Sequence, residues 1–190
     1  MIKPIRILIA DDEPIIRMDL REILESGGYQ VAEASDGEKA IELLEKQQFD
    51  LAILDINMPK FSGLEVMHKI SRSKEIPIIL LTAYCQTEMV SQALDMGVFG
   101  YLVKPIREEQ LFPSIQLALT QFRSLIHLKE EKLELKEKIQ EKAIIKKALA
   151  VLQEKYGMNE KVAYENMRKY SMEKRLTMEE IAKEVIKKSV

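Results

Sequence analysis

Short apolar runs recur through the first half of the chain, and each is followed by a stretch with helical periodicity. Runs of this length, rich in β-branched residues, are typical of parallel strands that are buried on both faces. Strands are predicted near residues 5–10, 29–34, 51–54, 77–81 and 99–103. Helices are predicted near residues 14–26, 37–47, 63–72, 86–96 and from 108 onward. This alternation predicts an α/β fold with a doubly wound, five-stranded parallel sheet and helices on both of its faces.

The pattern changes after Pro113, because no glycine or proline occurs between Ser114 and Tyr156. Apolar residues recur there at helical spacing, and a heptad-like seam is formed by Leu125, Leu128, Leu135 and Ile139. Lys132 and Lys142 interrupt this seam. The pattern predicts that the last helix of the sheet domain continues as a long rod with a short, imperfect coiled coil. We favour a homodimer seam over a lone exposed helix.

Gly157 is expected to end the rod as a helix C-cap. Two short helices are predicted after it, near residues 159–171 and 177–188. Asn159 and Thr177 suit their N-caps, and Glu180 stands three residues after Thr177, as in a capping box. The expected organisation is a sheet domain over 1–120, a helical linker over 121–146 and a small three-helix, all-α domain over 147–190.

Composition bounds the class of protein. No apolar run of 18 residues indicates a membrane span, the first apolar run is too short for a signal peptide, and Cys85 is the lone cysteine. We therefore expect a cytoplasmic protein without a membrane partner, in which Cys85 is a small packing residue. Residues 121–190 hold 17 Lys and Arg against 12 Asp and Glu, whereas residues 1–120 hold 12 against 19. An acidic first part suits a cation site, and a basic second part hints at an anionic partner.

Polar residues with a common chemistry follow four of the apolar runs: Asp11, Asp12, Asp55, Thr82 and Lys104. Ligands of open α/β sheets bind at the carboxyl ends of the strands, where these side chains are expected to meet. A carboxylate can attack a phosphoryl group, a magnesium ion can screen the two anions, and lysine can pair with phosphoryl oxygens. Taken singly, each residue has an ordinary interpretation, such as a helix cap or a solvated lysine. Five in one order favour a phosphoryl-transfer site.

Two further sequence details belong to this site. The backbone carbonyl of Asn57 could give the magnesium ion another oxygen ligand. Asp12 or Glu13 could cap the following helix, and Pro14 suits its first position.

The stretches ILIADDEP, LAILDINMPKFSGLE, IILLTAY and GYLVKPI resemble the receiver domain of bacterial two-component response regulators, over roughly the first 120 residues. The resemblance implies a flavodoxin-like fold, a sensor histidine kinase as partner, and Asp55 as phosphoacceptor. It also implies a Mg²⁺ site made by Asp11, Asp12, Asp55 and the carbonyl of Asn57. It further implies that Thr82 is a switch hydroxyl, that Lys104 pairs with the phosphate and that Tyr101 is a rotating aromatic residue. The Lys104–Pro105 peptide bond is implied to be cis.

The tail KKALAVLQEKYGMNEKVAYENMRKYSMEKRLTMEEIAKEVI resembles the ANTAR domain of antiterminator proteins. This resemblance implies binding to paired hairpins in a leader transcript, so that a terminator hairpin does not form, and hence work near RNA polymerase. Sequence-specific RNA recognition uses stacking on aromatic and arginine side chains. The candidate RNA contacts are Tyr164, Arg168, Lys169, Tyr170 and Arg175. The candidate core residues are Ala163, Met167, Leu176 and Ile181.

The whole arrangement resembles the ethanolamine-utilisation antiterminators of Gram-positive bacteria. Two rival outputs stay open. One is a DNA-binding helix-turn-helix, which the rigid helix and short tail disfavour, and the other is a surface that only binds proteins. An enzymatic output is not expected, because no second catalytic constellation follows residue 105; self-dephosphorylation is the most we expect.

Overall fold

The computed structural model describes residues 4–71, 74–83 and 97–188. The chain divides into two compact units, residues 1–126 and residues 127–190. The helix predicted near residues 86–96, and Cys85, lie outside the described residues. The domain boundaries inferred from the sequence stay predictions.

The first unit contains a five-stranded parallel sheet with the strand order β2-β1-β3-β4-β5. The strands are β1 (Arg6–Ala10), β2 (Gln30–Ala34), β3 (Leu51–Asp55), β4 (Ile78–Thr82) and β5 (Gly100–Val103). The helices within the described residues are α1 (Pro14–Ser26), α2 (Gly37–Lys46), α3 (Gly63–Ile70), α4 (Glu108–Tyr156), α5 (Glu160–Lys174) and α6 (Met178–Lys187). The predicted fold class is confirmed.

Both faces of the sheet are covered, which explains the continuous apolar runs. Leu8 of β1 belongs to one buried cluster with residues of α2 and α3. Its neighbours Ile7 and Ile9 belong to a second cluster with residues of α1 and α4. Because successive side chains of a strand point to opposite faces, a strand between two helical layers must be apolar at every position. Every residue of β3 and β4 is buried accordingly.

The end of α3 and the capping of α1 differ from the prediction. The α3 helix ends at Ile70, before the predicted residue 72, and the N–H of its C-cap residue Ser71 donates to the carbonyl of Met67. The α1 helix has Glu13 at its N-cap and Pro14 at its first position, but the Glu13 side chain makes no capping hydrogen bond. Instead the Glu13 N–H donates to the Asp11 carboxylate at 3.0 Å. The carboxylate that serves this helix end therefore comes from the residue directly after β1.

The second unit has a small core of its own. Residues of α4, α5 and α6 form one buried cluster of Ala148, Leu149, Ala163, Met167, Ile181 and Ala182. Three of the four predicted core residues are therefore buried. Leu176 is the exception, since 37 % of it is exposed. It lies between Arg175, the C-cap of α5, and Thr177, the N-cap of α6, in a connection that runs over the surface.

The helix-capping predictions for this unit are confirmed. Gly157 follows the end of α4 with a φ of 66°, a left-handed conformation that glycine adopts without a Cβ clash. The Asn159 side chain accepts from the N–H of Val162, and Thr177 forms a complete capping box with Glu180. These caps bound the two short helices, although α5 extends to Lys174 and so ends three residues later than predicted.

The helix α4 is 49 residues long and carries the predicted seam on its surface. Leu128 is 60 % exposed, Leu135 is 53 % exposed and Ile139 is 67 % exposed. These side chains are therefore uncovered within a single copy of the chain. No helix in the described part of the chain is long and apolar enough to cross a membrane.

Candidate functional site

The carboxyl ends of four strands bring the predicted site residues to one edge of the sheet. Asp11 directly follows β1, Asp55 ends β3, Thr82 ends β4 and Lys104 directly follows β5. The parallel register pairs Asp55 with Leu81 and Thr82 with Val103, so neighbouring strands end at nearly the same level. Residues that are almost one hundred positions apart in the sequence, such as Asp11 and Lys104, therefore meet at the same edge of the sheet.

Three carboxylates form the centre of this site. One carboxylate oxygen from each of Asp11, Asp12 and Asp55 lies within 4.8 Å of the other two. Asp11 is fully buried, Asp55 is 4 % exposed, and Asp12 is exposed to solvent. Three acids at this separation repel one another unless a cation lies among them, and burial of two of them strengthens the repulsion.

Lys104 supplies part of the positive charge. Its Nζ lies 2.7 Å from Oδ2 of Asp11, 3.3 Å from Oδ1 of Asp55 and 3.5 Å from Oε1 of Glu13. Burial lowers the pKa of Lys104, but the carboxylates of Asp11 and Asp55 outweigh it, so this pKa lies above its usual value. The lysine is therefore an ammonium ion at neutral pH and is fixed by at least two acids.

The charge balance at Asp55 is less favourable. Burial raises the pKa of Asp55 to about 6, since Lys104 offsets only part of this effect and the charge of Asp11 adds to it. At neutral pH Asp55 is still mostly ionised, as a nucleophile must be. Its charge is nevertheless poorly compensated by the protein alone.

The donor set fits a magnesium ion. Oδ2 of Asp11 is buried and makes no hydrogen bond among the described residues, because its contact with Lys104 is an ion pair without hydrogen-bond geometry. A hard divalent cation that prefers carboxylate oxygens would bind at this buried oxygen and relieve the repulsion. Asp11, Asp12 and Asp55 would hold it. Asn57, two residues after Asp55, is exposed and leaves its backbone carbonyl as a further candidate ligand.

The two proposed switch residues lie on the adjacent strands. Thr82 is 5 % exposed, and its carbonyl accepts from the N–H of Lys104 at 2.9 Å. Tyr101 on β5 pairs with Leu80 and is 46 % exposed, so its ring is turned to solvent in this structure. The Lys104–Pro105 peptide bond is cis, as the receiver resemblance implies.

Two supporting interactions were missed in the sequence. Nη1 of Arg17 donates to the Asp11 carbonyl at 2.8 Å, and Nε of Arg17 lies 3.6 Å from the Glu33 carboxylate. The arginine thereby fixes the segment that carries the first two acids. The sequence shows only that Arg17 lies one turn into α1, and an arginine exposed to solvent could occupy the same position.

The second missed interaction is a close contact under the connection between β3 and α3. A Cβ added to Gly37 would lie 1.9 Å from the carbonyl oxygen of Phe61. Nearby, Lys60 has a φ of 68° and forms ion pairs with Asp36 at 3.2 Å and Glu38 at 2.7 Å. The start of α2 therefore holds the connection that carries Asn57, and only glycine fits at the contact.

The predicted RNA contacts all belong to α5 and its C-cap, and all are exposed: Tyr164, Arg168, Lys169, Tyr170 and Arg175. The Nζ of Lys174 lies 5.7 Å from the centre of the Tyr170 ring. Arg175 has a φ of 56°, a left-handed conformation that favours glycine or asparagine. The end of α5 therefore combines an exposed ring with positive charge.

Comparison with known proteins assigns both units. The model of the response regulator receiver domain matches residues 7–116, and the model of the ANTAR domain matches residues 133–186. The chain is a response regulator with a receiver domain and an ANTAR domain. The transcriptional regulatory protein PdtaR of Mycobacterium tuberculosis is 40 % identical over 184 residues, which cover 96 % of this regulator and 90 % of that protein.

Solved receiver structures share the fold of the regulator's first unit. A CheY-like receiver protein of Methanospirillum hungatei has a TM-score of 0.61 and 29 % identity, over 64 % of this chain and 98 % of that one. The receiver domain of the sensor histidine kinase PA1611 of Pseudomonas aeruginosa has a TM-score of 0.57 and 28 % identity, over 62 % of this chain and 98 % of that one. That structure has a magnesium ion coordinated in its active-site cleft. The two domains of the regulator are those of a two-component protein that is controlled by phosphorylation and has an RNA-binding output.

Proposed function

We propose that the regulator accepts a phosphoryl group on Asp55, dimerises, and binds paired hairpins in a leader transcript to prevent transcription termination. The observation that carries the proposal is that one chain joins the buried Asp11–Asp55–Lys104 site to a unit matching the ANTAR domain. The first is a site for an aspartyl phosphate, and the second provides the output.

Phosphoryl transfer needs few groups from this chain. A carboxylate oxygen of Asp55 attacks phosphorus, the bond between phosphorus and the histidine nitrogen of a sensor kinase breaks, and that nitrogen keeps the electron pair. Lys104 pairs with the phosphoryl oxygens as they arrive, since its ammonium group is already 3.3 Å from Asp55. Asp11, Asp12 and Asp55 would hold a magnesium ion, which when bound neutralises charge on the phosphoryl oxygens.

The response to phosphorylation begins at the neighbouring strands. The Thr82 hydroxyl at the end of β4 is placed to donate to a phosphoryl oxygen, and its movement makes room for the Tyr101 ring to turn inward. Tyr101 is half-exposed in this structure, so its ring would turn inward from an outward position. These movements alter the surface that includes β5 and the predicted helix near residues 86–96.

The altered surface favours a homodimer, in which the exposed seam of α4 is covered by the second copy. Two ANTAR units would then engage two hairpins, and the second binding event is strengthened because it becomes intramolecular. Tyr164, Arg168, Lys169, Tyr170 and Arg175 would contact the RNA by stacking and by phosphate pairing. Binding to a leader transcript places the regulator near RNA polymerase.

The proposal includes no enzymatic output, and at most the regulator removes its own phosphoryl group. A role in ethanolamine utilisation, which the sequence resemblance indicates, stays a prediction.

The deciding experiment measures binding of the full chain to a two-hairpin leader RNA and to duplex DNA of equal length. Each is titrated with and without beryllofluoride and Mg²⁺ at fixed salt, using wild type and Asp55→Ala. We expect tight RNA binding only for wild type with beryllofluoride, and only when both hairpins are present. Preference for DNA, or equal binding by Asp55→Ala, would overturn the proposal. A flat salt dependence without nucleic-acid binding would favour a protein-interaction output, since phosphate contacts make affinity fall with salt.

A further inference from the structure

The exposed apolar seam of α4 has a specific charge pattern on its two flanks. We propose that it pairs with α4 of a second copy as a parallel, in-register coiled coil, and that Glu131 and Lys136 set this orientation. The inference rests on the proposed dimerisation and adds the geometry of the interface. Its evidence lies within residues 125–145 of one helix.

The heptad positions follow from the exposed apolar residues. Leu128 and Leu135 are seven residues apart and occupy d positions, whereas Leu125 and Ile139 occupy a positions. Leucine at d with isoleucine at a, as at Leu135 and Ile139, favours two strands over three or four. In this register Glu131 is at g and Lys136 is at e, so both residues border the seam.

The charges are complementary in the parallel arrangement. In a parallel pair, a g residue faces the e residue that is five positions later in the other chain. Glu131 therefore faces the partner's Lys136, and twofold symmetry repeats the contact on the other side. Neither residue has an ion pair with the described residues of its own chain, whereas the nearby Glu134 and Lys138 form one at 3.9 Å. Both charges are thus available to a second copy.

The antiparallel arrangement places like charges together. There, e residues face e residues, and the e positions of the seam include Lys129 and Lys136. Opposed lysines destabilise such a pair, whereas the parallel pairing of g and e positions from Ser124 to Ala143 opposes no two like charges. Charge complementarity therefore selects the parallel pair.

Lys132 and Lys142, the polar residues within the seam, act in the same direction. Lys132 is at an a position and Lys142 is at a d position, and a polar residue within the seam lowers stability but helps to specify the register. The long stem of Lys132 covers apolar neighbours while its ammonium group reaches the flank, where the partner's Glu131 lies in the parallel pair. The seam by itself is therefore expected to give only a weak dimer, as suits a dimer that forms only after phosphorylation of the receiver unit.

The test uses charge reversal in the full chain with beryllofluoride and Mg²⁺, and sedimentation equilibrium reports the dimerisation constant. Glu131→Lys and Lys136→Glu should each weaken the dimer by roughly tenfold, because each change creates two like-charge contacts. An equimolar mixture of the two variants should recover wild-type affinity as a heterodimer, and the double variant should recover it as a homodimer. Glu137→Lys is the matched control, since it reverses an exposed charge on the outer side of the same helix and should leave the dimer unchanged.

The possible failures are distinguishable. If wild type stays monomeric with beryllofluoride, the proposed dimerisation falls and the seam geometry falls with it. If wild type dimerises but the two single variants behave like Glu137→Lys, or if their mixture does not recover, the parallel register alone is wrong. Far-UV circular dichroism of each variant establishes that the helix is intact.

Discussion

Asp55 holds its carboxylate in a place that is almost closed to water, and this raises its pKa to about 6. The folded state then binds a proton at Asp55 more tightly than the unfolded state does. Without metal, the ionised carboxylate therefore destabilises the fold above about pH 6, and the cost disappears as the pH falls towards the unfolded pKa. The site is built for a ligand at the expense of stability.

We predict that Asp55→Asn raises the free energy of unfolding in EDTA at about pH 8, and that the gain shrinks at about pH 5, where wild-type Asp55 is protonated. Urea denaturation followed by circular dichroism measures both values. Asp12→Asn, which changes an exposed acid of the same cluster, should show a smaller gain. A gain for Asp55→Asn that grows as the pH falls would contradict this account.

The meeting of Asp11, Asp55 and Lys104 was predictable because each lies at the end of a buried strand, and strand ends of a parallel sheet meet at one edge. Arg17 could not be predicted in the same way. Its contact with the Asp11 carbonyl depends on how α1 lies against β1 and β2, and neither its residue type nor its spacing indicates that contact.

At the scale of elements, the start of α2 and the connection after β3 depend on one glycine. Asp36 caps α2 through the N–H of Lys39, and Gly37 lies directly beneath the Phe61 carbonyl. The sequence Asp36-Gly37 predicts a turn, but the same two residues also fix the position of the connection between β3 and α3 that carries Asn57.

We predict that Gly37→Ala lowers the stability of the receiver unit by about 1–3 kcal/mol, because the added Cβ must displace backbone. Mg²⁺ affinity should fall as well, since the displaced connection carries a candidate ligand. Thermal denaturation and a Mg²⁺ titration measure the two effects. Gly100→Ala is the matched control, because its Cβ would meet only Ile79 at an ordinary 3.8 Å. If Gly37→Ala and Gly100→Ala changed stability and Mg²⁺ affinity equally, the close contact at Gly37 would not be the cause of the loss.

At the scale of the whole molecule, the chain has a separate core in each unit. The sheet clusters belong to the first unit and the α4–α5–α6 cluster belongs to the second. The carboxylates that would hold Mg²⁺ all lie in the first unit.

We predict that Mg²⁺ at about ten times its dissociation constant stabilises the receiver unit by roughly 1–2 kcal/mol, through binding to the native state only. Protection of receiver amides in hydrogen exchange should increase, whereas amides of α5 and α6 should be unaffected. Asp11→Asn, which removes a buried carboxylate charge, should abolish most of the increase. Equal protection of both units would show that their stabilities are coupled.

The sequence by itself determined the fold class, the order of the elements and the polar residues that meet at the carboxyl edge of the sheet, because apolar periodicity, caps and strand-end chemistry are local signals. The tertiary structure decided what depends on distant neighbours: the buried ion pair of Asp11 with Lys104, the contact at Gly37 and the exposure of Leu176. Burial and close approach are properties of pairs of residues far apart in the chain. No local pattern specifies them, since each is set by how the packed elements finally lie against one another.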